Sequence, residues 1–257
     1  NTIAIGHNAG MSGQNTDTIA IGRFAGETNQ GLSNQARSIA IGYLAGNDSQ
    51  GGGAIAVGPA AGFSQQNIRS IAIGNTAGQT NQGTESIAIG TSSGAKNQEK
   101  GAVAIGYLAG QKNQFNRAIA IGEQAGQTDQ SFNAIAIGYQ AAQTDQSFNA
   151  IALGYQAGQI DQGSNSIAIG PQAAQFNQGI ECIAIGKFAG QTDQSNNTIV
   201  LNATGTPLET DDVERFYVKP IRKNSTTQGL YYDTTTGEIT YFTAGGGGGW
   251  SLMGSII

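Results

Sequence analysis

The chain has 257 residues, of which 40 are glycine and only 4 are proline, and its formal net charge at pH 7 is −5. This composition excludes collagen and a proline-rich linker, and the absence of a basic stripe argues against nucleic acid as a partner. No apolar run reaches the roughly 18 residues of a membrane span, so we expect no membrane insertion. The single cysteine, Cys182, cannot form an intrachain disulfide.

A repeat of sixteen residues fills residues 1–203. Each copy contains a short apolar run that ends in glycine, such as Ile119-Ala120-Ile121-Gly122, and the runs begin so early that we expect the gene to extend upstream of Asn1. One step of twenty residues, between Gly22 and Gly42, interrupts the period, and Ile199-Val200-Leu201-Asn202 is a degenerate thirteenth copy. A fixed period in this range is typical of a solenoid.

Each copy predicts two short strands. Ile and Ala alternate with a period of two, as in a strand with two different faces, and a polar stretch such as 127–130 follows the glycine. We therefore predict an all-β parallel roll of about twelve coils, whose neighbouring coils pair at about 4.8 Å. The last glutamine of each polar stretch is expected to form a structural ladder of amides along the roll. The ladder comprises Gln14, Gln30, Gln50, Gln66, Gln82, Gln98, Gln114, Gln130, Gln146, Gln162, Gln178 and Gln194.

The Ile and Ala columns occupy opposite faces of the same strand, and both are apolar. One face lines the lumen of the roll, and the other would form an exposed apolar stripe, which marks an interface. We therefore predict a homotrimer around a common axis. We expect Ile in the lumen and Ala at the axis, although the alternation alone leaves the two assignments open.

The long step and the C-terminal part depart from the repeat. Residues 31–37 are expected to bulge outward at a corner without disturbing the stack. Beyond the roll of residues 1–203 we predict a linker over 204–214, a strand and a hairpin that cap the roll over 215–244, and a glycine-rich hinge with an apolar tail over 245–257. The cap is expected to pack the aromatic side chains Phe216, Tyr217, Tyr231, Tyr232, Tyr241 and Phe242.

No set of residues predicts catalysis, a cofactor or a metal site. His7, the only histidine, stands in a variable corner position, and Cys182 stands in a column of small residues. The acidic residues Asp129, Asp145 and Asp161 recur in successive coils, but Asn fills the same position in other copies, which favours turn formation over cation binding. We expect a protein that is not an enzyme and that has neither cofactor nor metal.

The Ser-Ile-Ala-Ile-Gly units, such as residues 86–90, resemble the head repeats of YadA-like trimeric autotransporter adhesins. That resemblance implies a left-handed parallel β-roll that assembles as a trimer. The sixteen-residue period and the Asn/Asp-Gln ending depart from the bacterial heads and are similar to fibre and spike proteins of large algal viruses and phages. Residues 215–242 are also similar to a segment of viral fibres that precedes a self-cleaving chaperone domain.

These observations lead to a structural fibre or spike protein for surface attachment on a virion or in the extracellular space. Its expected partners are two further copies of itself, an unidentified host receptor or glycan, and other fibre or capsid proteins through the C-terminal tail. Two alternatives stay open. One is a bacterial adhesin head on the outer-membrane surface that binds extracellular matrix, and the other is a glycan-degrading enzyme with its active site between subunits.

Overall fold

The computed structural model describes residues 1–31, 37–221, 228–233 and 235–243, with the backbone alone for 228–231 and 240–243. The glycine hinge, the apolar tail and most of the predicted bulge at 31–37 lie outside these residues. The chain divides into two compact units, Asn1–Pro220 and Ile221–Ile257. In the part of the chain that the structure describes, no helix is long and apolar enough to cross a membrane.

Within the residues that the structure describes, twenty-four strands alternate with tight turns. They are β1 Ile3–Ile5, β2 Ile19–Ile21, β3 Ile39–Ile41, β4 Ile55–Val57, β5 Ser64–Gln66, β6 Ile71–Ile73, β7 Thr80–Gln82, β8 Ile87–Ile89, β9 Lys96–Gln98, β10 Val103–Ile105, β11 Lys112–Gln114, β12 Ile119–Ile121, β13 Thr128–Gln130, β14 Ile135–Ile137, β15 Thr144–Gln146, β16 Ile151–Leu153, β17 Ile160–Gln162, β18 Ile167–Ile169, β19 Phe176–Gln178, β20 Ile183–Ile185, β21 Ile199–Asn202, β22 Phe216–Lys219, β23 Gln228–Tyr232 and β24 Ile239–Thr243.

Two parallel sheets build the first unit. The first sheet has fourteen strands, the Ile-Ala-Ile strands followed by β22, and the second sheet has eight, from β5 to β19. Neighbouring coils stand in register, so that Ala104 pairs with Ala120 and Ile105 with Ile121. The predicted parallel solenoid with two strands a coil is therefore confirmed. The step of twenty residues leaves this register intact, because Ile19 still pairs with Ile39.

The lumen is filled by small side chains and glutamine, and the expectation of Ile in the lumen is wrong. Ala104, Ala120 and their equivalents from Ala20 to Ala184 are fully buried, whereas Ile73 and Ile185 keep 38% and 39% of their surface exposed. The glutamine of the second sheet reaches across the lumen, since Gln130 Nε2 donates to the carbonyl oxygen of Ile119. That glutamine leaves room only for a methyl group on the facing strand.

The glycine at the end of each Ile-Ala-Ile run holds a backbone conformation that other residues rarely adopt. Gly122 has φ +127°, and a Cβ on it would lie 2.6 Å from the carbonyl oxygen of Gly138 in the next coil. Four residues later, a Cβ on Gly126 would lie 2.7 Å from Gln130 Oε1. Two coils nevertheless carry alanine at this second position, Ala142 and Ala174, each with φ 44°. Their left-handed backbone is a source of strain that glycine avoids.

Stacking continues beyond residue 203. Val200 is buried in the last Ile-type strand, β21, and β22 adds to the same sheet, with Ile199 opposite Phe216. Leu208 forms a bridge to Ala189, and its carbonyl oxygen accepts from the Gly190 N–H at 2.8 Å. Polar side chains satisfy further donors at this end, because Glu209 Oε2 accepts from the Thr192 N–H at 3.0 Å. Residues within the predicted linker thus close the end of the stack.

The second unit contains the hairpin that the sequence predicts. Strands β23 and β24 pair antiparallel, with Leu230 opposite Tyr241. The turn is held by Asp233, whose carboxylate accepts from the N–H groups of Thr235 and Thr236, and these hydrogen bonds lower the pKa of Asp233. The role of the hairpin as a lid on the roll stays a prediction.

Candidate functional site

The predicted glutamine ladder lies in the lumen. Each glutamine amide donates to a carbonyl oxygen of the facing Ile strand, and most also donate to the amide oxygen of the glutamine in the next coil. For Gln130 these distances are 2.7 Å to Ile119 O and 3.0 Å to Gln146 Oε1. Gln114 Nε2 in turn donates to Gln130 Oε1 at 3.1 Å. The ladder therefore ties the two sheets together within a coil and ties each coil to the next.

The ladder is continuous from Gln82 to Gln194 and is interrupted at two places N-terminal to Gln82. Amide hydrogen bonds link every neighbouring pair in this stretch. The buried oxygens Gln50 Oε1 and Gln82 Oε1 have no hydrogen-bond partner among the described residues. The structure explains neither interruption, between Gln30 and Gln50 or between Gln66 and Gln82, since the Gly31 N–H still donates to the carbonyl oxygen of Gln50 at 2.8 Å across the twenty-residue step.

The outer face of the first sheet carries the isoleucines. In the first column, Ile87, Ile119 and their equivalents are half-buried, and in the second Ile121 and Leu153 expose 36% and 41% of their surface. Because the coils are in register, these side chains form two apolar columns along the roll, which we call the Ile face. Its length distinguishes it from the isolated apolar residues found on most protein surfaces.

The six aromatic residues of the predicted cap fall into both units. Phe216 is half exposed on β22, whereas Tyr217 packs partly buried against the alanine core and hydrogen-bonds Asp211. This hydrogen bond is the main cause that lowers the pKa of Asp211. Tyr232 exposes 58% of its surface on the hairpin. The side chains of Tyr231, Tyr241 and Phe242 lie outside what the structure describes.

The histidine and the cysteine of the chain lie in different coils. His7 is exposed and touches the edge of the Phe24 ring, with centroids 5.5 Å apart. Cys182 is fully buried, and its thiol donates to the carbonyl oxygen of Ser195 at 2.9 Å. Among the described residues no three His, Cys, Asp or Glu side chains are grouped so that they could hold a metal ion.

The second sheet carries a column of aspartates, Asp129, Asp145 and Asp161, whose negative charges repel one another. Burial, followed by the carboxylates of Asp161 and Asp129, raises the pKa of Asp145. A carboxyl group whose pKa is higher in the folded chain than in the unfolded chain destabilises the fold at neutral pH, where both forms are ionised. That penalty disappears when the pH falls below the ordinary pKa of aspartate.

Replacing Asp145 with asparagine is therefore expected to raise the melting temperature at pH 7 and to leave it nearly unchanged at pH 3. Asparagine fits the local backbone, because Asn97 and Asn113 occupy equivalent positions with φ 55°. Thermal unfolding of both proteins at the two pH values measures the effect. The matched control is Asp193→Asn, whose column neighbour Asn177 donates to it at 2.7 Å. The electrostatic explanation would be contradicted if Asp145→Asn raised the melting temperature equally at both pH values. It would also be contradicted if Asp193→Asn raised the melting temperature as much as Asp145→Asn.

Comparison with known families agrees with this geometry. Residues 82–109 match the model of the YadA head domain repeat, in two copies. These are YadA-like head repeats. The matched segment contains β8, β9 and β10, and the same register extends through the other coils. No curated protein and no solved structure matches the chain.

The coils carry a second set of amide ladders, which was not among the predictions from the sequence. Gln143 Nε2 donates to Gln127 Oε1 at 3.1 Å, and Gln156 Nε2 donates to Gln140 Oε1 at 2.9 Å. Gln159 Nε2 links the two columns through Gln140 Oε1 at 3.3 Å. The column that contains Gln127 and Gln143 could have been predicted, because glutamine recurs five residues after the coil glycine from Gln111 to Gln191.

Proposed function

We propose that the chain is the shaft of a homotrimeric fibre or spike that gives reach and surface attachment and has no enzymatic activity. The observation that carries this proposal is the Ile face, two apolar columns that remain partly exposed on a single chain along twelve coils. The YadA-like character of the repeats supports an adhesin-type role at a surface exposed to the outside.

Three chains with their Ile faces toward a common axis would bury these columns. Full burial of an isoleucine stabilises by about 1.5–3 kcal/mol, so the exposed third of each side chain contributes roughly 0.5–1 kcal/mol. The gain recurs in every coil, because the columns run the length of the roll. In this proposal Ile lines the axis, in place of the Ala that we expected from the sequence.

The trimer is tested by light scattering of the full chain over a range of concentrations, where we expect three times the mass of one chain. Introducing a charge with Leu153→Glu should shift the protein to monomers, since an unpaired carboxylate would be buried at the axis. Lys96→Glu places the same side chain on the exposed part of the second sheet and should leave the trimer intact. A wild-type protein that stays monomeric at all concentrations would overturn the proposal.

Two further features support one source of the proposed fibre over the other. The sixteen-residue period and the strand with hairpin over 215–242 favour a viral fibre over a bacterial adhesin head. The full reading frame is the direct test of this point. A coiled-coil stalk with a membrane anchor would favour the bacterial adhesin, whereas a virion-attachment domain or a cleaved chaperone would favour the virus.

A further inference from the structure

A groove on the outside of the second sheet has the chemistry of a saccharide site. It has a volume of about 340 Å³ and is lined by Asn81, Asn97, Asn113, Glu99 and Phe115. All five residues belong to three successive coils of one chain. We propose that this groove binds a neutral, linear oligosaccharide that runs along the coils. The inference deepens the proposed attachment function, because it names the class of ligand.

The three asparagines present a regular array of donors and acceptors. Asn81 Nδ2 donates to Asn97 Oδ1 at 3.0 Å, and Asn97 Nδ2 donates to Asn113 Oδ1 at 3.0 Å. Each amide has two N–H donors and two acceptor lone pairs, so this ladder uses only half of its capacity. Asn81 and Asn97 are exposed, which leaves the second half open to a ligand. Sugar hydroxyl groups both donate and accept, and they match such an array.

The spacing of the array selects a polymer. Adjacent coils stand about 4.8 Å apart, which is of the order of the length of one pyranose ring in a linear glycan. A saccharide along the roll would therefore meet the same pair of polar groups at each sugar. Within the described residues, the register of the second sheet repeats this arrangement from Gln82 to Gln98 and from Gln98 to Gln114.

The remaining lining residues add an apolar platform and one acceptor. Phe115 is half-buried and is held in place by Phe132, whose ring centroid lies 5.2 Å away. An aromatic ring in this position offers an apolar surface to the C–H face of a sugar. Glu99 Oε2 accepts from the Asn116 N–H at 3.1 Å, which fixes the carboxylate as a hydroxyl acceptor. The lining contains no cationic side chain, so an anionic ligand such as a uronate or a phosphate is disfavoured.

The site would stay accessible in the proposed trimer. The asparagines belong to β7, β9 and β11 of the second sheet, whereas the Ile face belongs to the first sheet. The two sheets enclose the lumen and present their outer surfaces in opposite directions. A ligand in the groove would therefore approach from the side away from the axis.

Saturation-transfer NMR and calorimetric titration of the full chain test this inference. The probes are tetrasaccharides of β-1,4-linked glucose, mannose and N-acetylglucosamine, with a tetrasaccharide of galacturonate as the anionic comparison. We expect at least one neutral probe to bind, and we expect Asn97→Ala and Phe115→Leu each to weaken binding at least tenfold. Asn149→Ala is the matched control, because Asn149 belongs to another exposed asparagine ladder outside the groove.

Three outcomes would overturn the inference: no binding of any neutral probe, tighter binding of the galacturonate, or an equal loss in Asn149→Ala. Phe115→Leu keeps an apolar side chain, so this variant still tests the site if Asn97→Ala folds poorly. The groove lies within one chain, which separates this test from that of the proposed function. A monomer that binds saccharide would contradict only the proposed trimer. A trimer that binds none of the probes would contradict only the proposed saccharide site.

Discussion

Replacing Gly122 with alanine is expected to destabilise the roll by about 2–6 kcal/mol, because strain at such a backbone costs about 1–3 kcal/mol and forced overpacking costs about 1–3 kcal/mol more. The added Cβ would lie 2.6 Å from the carbonyl oxygen of Gly138. The backbone has little freedom to move away, since the Gly138 N–H donates to Ile121 O at 2.8 Å. Chemical denaturation of the two proteins measures the difference.

A second glycine provides the control for this substitution. Gly101 also has a positive φ, +67°, but the nearest atom to an added Cβ is Arg117 Cγ at 3.8 Å. Asn133 occupies the equivalent position of a later coil with φ 57°. Gly101→Asn should therefore change the free energy of unfolding by no more than about 0.5 kcal/mol. A comparable loss of stability in both variants would contradict the role of the close contact between coils at Gly122.

Replacing Gln130 with leucine is expected to destabilise the fold by about 1–3 kcal/mol, the cost of leaving buried polar groups without partners. Leucine has a similar volume, but it removes the donor to Ile119 O and Gln146 Oε1 and the acceptor for Gln114 Nε2. These atoms lie in a lumen where Gln130 is 0% exposed, so water cannot replace the lost hydrogen bonds. Thermal unfolding compares this variant with the wild type.

Gln127→Leu is the matched control, three residues earlier in the same coil. Gln127 Nε2 also donates to a neighbouring glutamine, Gln111 Oε1 at 3.1 Å, but its side chain is only half-buried. Water can take over its hydrogen bonds, and the expected cost is close to zero. An unchanged melting temperature for Gln130→Leu, or an equal loss for both variants, would contradict the role of burial.

The architecture was readable from the sequence because each coil repeats the same local pattern. The alternation in Ile119-Ala120-Ile121 predicts a strand, and the constant period predicts that like residues stack. Whether the Ile columns lie in the lumen or on the outer face could not be predicted in this way. Preference for large apolar side chains in a core favoured Ile inside, but Gln130 and its equivalents already fill the lumen. The unvarying alanine was the clue, since only a crowded site restricts a whole column to one methyl group.

The groove also could not be predicted from the sequence. Asn81, Asn97 and Asn113 are visible as a column, but a column of asparagines does not by itself predict a groove. The groove also needs their neighbours in adjacent coils, where Gly83 has no side chain and Glu99 and Phe115 follow at the same position. Such a combination depends on three coils at once and has no signature within a single repeat.

The in-register contact between coils also determines how such a fibre changes its length in evolution. From β5 to β19 each coil offers the next one the same two strands and the same glutamine, so duplication or loss of sixteen codons in this stretch joins two surfaces that already fit. Each such event alters the reach by one strand spacing, about 4.8 Å. The four additional residues between Gly22 and Gly42, across which Ile19 still pairs with Ile39, are tolerated at a corner. Length is therefore inherited as a count of repeats, and selection can adjust it without redesigning the core.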